Sequence, residues 1–140
     1  MLKPLALFLV LIWSGMILGI SFLEAPVKFH APSLTLATGV DVGRHVFGVF
    51  EKVQWVFLVI LAGILFGLPL TKAILCAAAL IALCQLVQTL WLLPILNSRA
   101  EQIISGQPVL PSNSHTGFAI TELLKLFALL WLAWMVYKSP

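Results

Sequence analysis

The chain has 140 residues, 61% of them hydrophobic and 9% charged, with a mean hydropathy of +1.10. Soluble domains carry about 25% charged residues, so there is too little charge here to cover a water-soluble globule, and an apolar chain this poor in charge does not stay disordered. The length suits one domain, and the net charge of +3 comes from basic residues scattered singly, which excludes a nucleic-acid partner.

A bilayer core needs about 20 apolar residues as helix, and four stretches supply that length, at about 4–23, 49–69, 72–96 and 116–137. The first runs uncharged from Pro4 to Leu23. Its apolar run exceeds the roughly 7–15 residues of a signal segment, and no small-x-small cleavage site follows, so an uncleaved span is expected. The connection Glu24 to Pro32 alternates apolar and polar residues between two prolines. It reads either as a membrane-resting connector or as a cap over polar groups.

The second span holds Gln54 as its strongly polar side chain, with a helical lead-in from Asp41 as N-cap and Pro69 as its stop. The third continues past a kink at Pro94 towards Gly106, which suits a helix C′ position. After the loop 106–114, Ser112 or Ser114 caps the fourth. The charge-free part of that fourth helix, Leu126 to Tyr137, is 12 residues and too short to cross; extending it back to Thr116 places Glu122 and Lys125 inside the span. Gly15 with Gly19, Gly63 with Gly67, and Ala77, Ala78, Ala79 and Ala82 supply small-residue faces, expected to pack helix on helix within the bundle. The predicted fold is all-α: an integral membrane four-helix bundle with a partly helical, membrane-resting first loop.

Connecting four spans puts all five acids, all three histidines and Arg44 on or towards the long-loop side, leaving Lys3, Lys72 and Lys138 on the terminal side. Lys3 and the absence of acids on that side lean the termini towards the cytoplasm of a bacterial inner (plasma) membrane. Intramembrane charges cost about 2.5–3.5 kcal/mol each on insertion scales, so Glu122 and Lys125, three apart on one helix, must pair or face protein. His115, Phe118, Glu122 and Lys125 share one stripe. Arg44, Glu51 and Gln54 form another, with His45 and Lys52 adjacent, and Gln85 and Gln88 share a face of the third helix.

These stripes predict a polar cavity built from Arg44, His45, Glu51, Gln85, Gln88, His115, Glu122 and Lys125. Such a site would bind or move a small polar or amphiphilic molecule, or support a partner. The partners expected are the lipid bilayer and another membrane protein or a second copy of the chain. A second reading is a haem- or copper-dependent redox protein with His45 and His115 as ligands, although no tight His or Cys spacing is present. A third is a purely structural subunit whose Glu51, Lys52, Glu122 and Lys125 form an ion cluster that orients the helices. Cys76 and Cys84, eight apart on one helix and so about 12 Å by rise, cannot bridge to one another. There is no nucleophile elbow and no phosphate loop, so no catalytic residue is assigned. Trp91, Trp131, Trp134 and Tyr137 mark membrane interfaces.

Glu24-Ala25-Pro26-Val27-Lys28-Phe29, Gly43-Arg44-His45-Val46-Phe47, Leu93-Pro94 and His115, taken in order, carry a resemblance over most of the chain. The sequence resembles a family of small four-span membrane proteins similar to transmembrane protein 205. That family is related to the copper-resistance-D-like membrane superfamily, which includes four-span haem-associated protoporphyrinogen oxidases. The resemblance implies a four-helix bundle and a histidine-centred haem or copper site. This chain departs from the haem-binding relatives in having no histidine within the body of a span.

Overall fold

A computed structural model describes residues 1–139, which form four long helices: α1 (Leu2–His30), α2 (Leu36–Phe66), α3 (Lys72–Ile104) and α4 (Ser114–Lys138). All four are long and apolar enough to cross a membrane, and the described residues contain no strand. One helix runs through each of the four apolar stretches and extends it at the long-loop end.

Local chemistry explains the extensions. α2 starts not at Asp41 but at Leu36, because Thr35 takes an extended backbone and its hydroxyl accepts the Thr38 N–H at 3.2 Å. Thr71 does the same for α3, accepting from Ile74 at 3.2 Å. α2 stops at Phe66 with Gly67 as its cap, so Pro69 follows the end rather than making it. α3 runs through Pro94 to Ile104, and Gly106 takes the positive φ of +71° expected of a helix terminator. Ahead of α4, the Ser112 hydroxyl accepts the Ser114 N–H at 3.1 Å.

Two prolines are absorbed without breaking a helix. α1 is wound as π-helix from Ile17 to Glu24, just before Pro26, and α3 from Gln88 to Leu92, just before Pro94. A proline ring clashes with the carbonyl four residues back, here Phe22 and Leu90, and both lie in the π-wound turns that re-register the hydrogen bonds. The first connection is therefore a continuation of α1, ending in an α-turn and a 3₁₀ turn at Lys28–His30.

Each helix packs on its chain neighbour and α4 closes the ring on α1, with the N-terminal half of α3 against α4 as the broadest contact. Lys3 Nζ donates to the Ser139 carbonyl at 2.6 Å, holding both ends of the chain at one end of the bundle. At that end the axis is filled by Trp13, Leu61, Leu65, Ile74, Ile81, Leu129, Leu132 and Val136, with Ala6, Ala77 and Ala128 letting the backbones close. Outside, Phe8, Val59, Leu90 and Phe127 stand exposed, the all-round apolar pattern of helices surrounded by acyl chains.

The glycine expectation is corrected. A Cβ built on Gly15, Gly19 or Gly63 meets nothing within 4 Å, so these residues do not bring helices of the bundle together, and of the Gly63–Gly67 pair Gly67 alone is approached, by Leu2. The close approach occurs instead at Gly39 and Gly43 of α2. A Cβ at Gly39 would lie 2.5 Å from the Phe29 ring, and one at Gly43 would lie 2.9 Å from Lys28 Nζ. These two glycines let the end of α1 lie flat against α2.

Candidate functional site

The polar stripes do converge, but in two tiers. The lower tier is a closed hydrogen-bonded network on the bundle axis. Lys125 of α4 is wholly buried and directs its ammonium to three oxygens: Gln85 Oε1 at 2.9 Å, Gln88 Oε1, and Glu122 Oε1 at 3.4 Å. Gln54 of α2 donates to the same Glu122 oxygen at 3.3 Å and accepts the Trp13 indole N–H of α1 at 3.0 Å. Gln85 passes its amide N–H to Glu51 Oε1 at 2.7 Å, and the Thr89 hydroxyl also meets that oxygen. Trp55 donates to Thr89 at 2.9 Å, and Gln88 donates to Thr121 at 3.0 Å.

Helical spacing makes this arrangement. Residues three and four apart share a face, so Glu51 with Gln54 and Trp55, Gln85 with Gln88 and Thr89, and Thr121 with Lys125 each present one polar patch inwards. The network draws on all four helices. An amide or hydroxyl buried without a partner costs about 1–3 kcal/mol, so rotating any helix would orphan several groups at once.

The upper tier is a cavity of about 490 Å³ at the long-loop end. Its apolar walls include Phe22, Phe29, Phe47 and Phe118, and its charged or titratable lining is Lys28, Arg44, Arg99 and His115, with no carboxylate. The acids stand outside: Glu24 pairs with Lys28 at 3.3 Å, while Asp41 and Glu101 hold Arg44 at 3.0 and 3.2 Å. Arg99 donates to the Leu110 carbonyl at 2.7 Å, and among the described residues no carboxylate pairs with it. The Ser21 hydroxyl, on the same lining, is buried without a partner.

Between the tiers, Phe47 and Phe118 meet edge to face with ring centres 5.4 Å apart. Each stands one helical turn before a network glutamate, Phe47 before Glu51 and Phe118 before Glu122. The rings therefore roof the polar network and floor the cavity.

Of the predicted site residues, Glu51, Gln85, Gln88, Glu122 and Lys125 are in the network, and Arg44 and His115 line the cavity. His45 joins neither. Its side chain is 71% exposed, with Nδ1 2.9 Å from the Asp41 carbonyl oxygen. Lys52 is exposed, so the ion cluster is Glu51, Glu122 and Lys125 without it. The sequence reading missed Trp13, Trp55, Thr89 and Thr121. A buried indole N–H requires an acceptor, and Thr89 lies one residue beyond Gln88, so the sequence held a signal for the two tryptophans and for Thr89 but none for Thr121. It also missed Lys28 and Arg99, whose place on the cavity depends on the α1 end seated on Gly39 and Gly43.

His45 and His115 do not face a common cavity, and among the described residues no three His, Cys, Asp or Glu side chains converge as a metal site. This donor geometry does not fit haem or copper held between them. Cys76 is exposed and Cys84 buried, both as free thiols. No protein-family model, curated protein or solved structure matches the chain.

Proposed function

We infer that this protein binds an amphiphilic molecule within a membrane, its apolar part among the cavity phenylalanines and its polar head at the basic rim. One observation carries the reading: the cavity of about 490 Å³ has aromatic and aliphatic walls with a charged lining of one sign. Ligand sites are commonly concave, about 300–1,000 Å³, mostly apolar and fitted with a few convergent polar groups. Arg99, unpaired with any carboxylate among the described residues, and Ser21, unpartnered, supply two such groups. The network beneath holds the four helices in register so that the cavity keeps its shape. The termini lie on the cytoplasmic side of a bacterial inner membrane, which opens the cavity to the opposite face.

The test is to purify the protein in mild detergent, identify co-purifying lipids by native mass spectrometry, and titrate a fluorescent single-chain anionic amphiphile. Saturable binding at one site per molecule, weakened by Phe29→Ala and Arg99→Gln, supports the reading. Absence of bound lipid together with non-saturable titration overturns it in favour of a scaffold for another membrane protein.

A further inference from the structure

The buried cluster is one positive charge short. Glu51 (5% exposed) and Glu122 (0%) are two carboxylates set against one ammonium, Lys125 (0%), on the axis of an apolar bundle. The ammonium has three N–H donors and all three are in use, on Gln85, Gln88 and Glu122. Each carboxylate engages only its Oε1 atom. The Oε2 atoms of Glu51 and Glu122 are both buried without a partner.

Among the described residues, Cys84 on α3 is the further titratable group that acts on these charges, and α1 contributes the uncharged indole of Trp13. Glu51, Glu122 and Lys125 lie within electrostatic range of one another, and Gln85 bridges them, accepting from Lys125 and donating to Glu51. They behave as one unit with a formal charge of −1. A medium of low dielectric does not hold an unbalanced charge; the site neutralises by binding a counter-charge. A divalent ion would overshoot the deficit, leaving the unit at +1.

We propose that this cluster binds one monovalent cation, a proton or a sodium ion, on the unpartnered carboxylate oxygens of Glu51 and Glu122. The two unpartnered atoms are carboxylate oxygens, which hard cations prefer. The cation enters from the cavity past the Phe47–Phe118 pair, which stands one turn in front of both glutamates. The inference is independent of what occupies the cavity: it depends on the charge count below the aromatic floor. It gives the protein a cation-loading step inside the membrane span, the element that a coupled carrier requires and an inert scaffold does not.

The experiment is infrared spectroscopy of the full-length protein in lipid nanodiscs at neutral pH, first without sodium. A bound proton gives one protonated-carboxyl stretch per molecule that shifts in D₂O. Glu51→Gln and Glu122→Gln, which keep volume and hydrogen bonding, must each abolish it, because either leaves a single carboxylate against Lys125. Lys125→Met must double it. If sodium is the cation, the wild type lacks the stretch in sodium buffer and its unfolding temperature rises with sodium chloride but not with choline chloride, a response that both glutamine variants lose. A stretch that survives either glutamine variant overturns the proposal, because protonation is then local and not set by the charge count. So does a wild type with neither the stretch nor a sodium response, a result that needs no variant to fold.

Discussion

At the terminal end of the bundle the axis is closed by Leu61, Leu65, Ile81, Leu129 and Leu132, with alanines between them, whereas nearer the long loops the same three helices, α2, α3 and α4, turn Gln54, Gln85, Glu122 and Lys125 inwards. The contrast shows two ways of holding helices together without water. Lipid tails solvate leucine as well as a protein core does, so the apolar end depends on close contact and dispersion. It tolerates small rotations. The polar end depends on directional bonds, where a rotated helix leaves a charge or amide unsatisfied. Both π-wound turns lie in the loop-side half, where the chain departs from regular α geometry to pass a proline beside the site.

The largest expected effect is at Lys125. Replacing it with Met forces both carboxyl groups to take up protons to stay buried, and losing one partner of a buried pair costs about 3–5 kcal/mol, to be read from denaturant unfolding in bicelles. A loss under about 1 kcal/mol would mean that the three charges do not act as a unit. Next is Leu132→Ala at the apolar end, which should cost less than the ~2–5 kcal/mol of a soluble core, because its exposed alternative is lipid and not water. Amphiphile binding should be unchanged, since Leu132 is remote from the cavity lining. A change in affinity would show the two halves to be coupled.

Gly39→Leu sharpens the comparison from the other side. Its Cβ would meet the Phe29 ring at 2.5 Å and the Leu34 side chain at 2.9 Å, so the end of α1 must lift away from α2. A tenfold or greater loss of amphiphile affinity is expected, about 1.4 kcal/mol, with helical content by circular dichroism retained. Arg99→Gln should weaken an anionic amphiphile several-fold while leaving a neutral one of equal chain length unaffected. The smallest effect belongs to Glu101→Gln, which breaks an exposed pair with Arg44 and should change stability by about 0.2–1 kcal/mol in a thermal scan.

Much of this was legible in the residues. The four spans follow from apolar run length. The pairing of Glu122 with Lys125, and the inward faces of Glu51, Gln54, Gln85 and Gln88, follow from helical periodicity and the cost of leaving polar groups in lipid. The gathering of eight residues into one cavity was not legible in the same way. Periodicity assigns a residue to a face, but His45 and Arg44 are adjacent, and only packing decides which of them turns outwards. The glycine motifs failed for a related reason. Spacing makes a small-residue face available without saying which partner uses it, so Gly15 and Gly63 stand open while Gly39 and Gly43 take the approach.

Composition and patterning by themselves determined the all-helical, four-span architecture and the polar character of its loop-side half, because both depend on free energies of transfer that each residue carries with it. Tertiary structure alone decided that the polar groups split into a buried charge network and a basic-rimmed cavity. That division rests on two phenylalanine rings meeting across the bundle and on α1 staying helical beyond Pro26, contacts between residues far apart in the chain whose geometry no local pattern specifies.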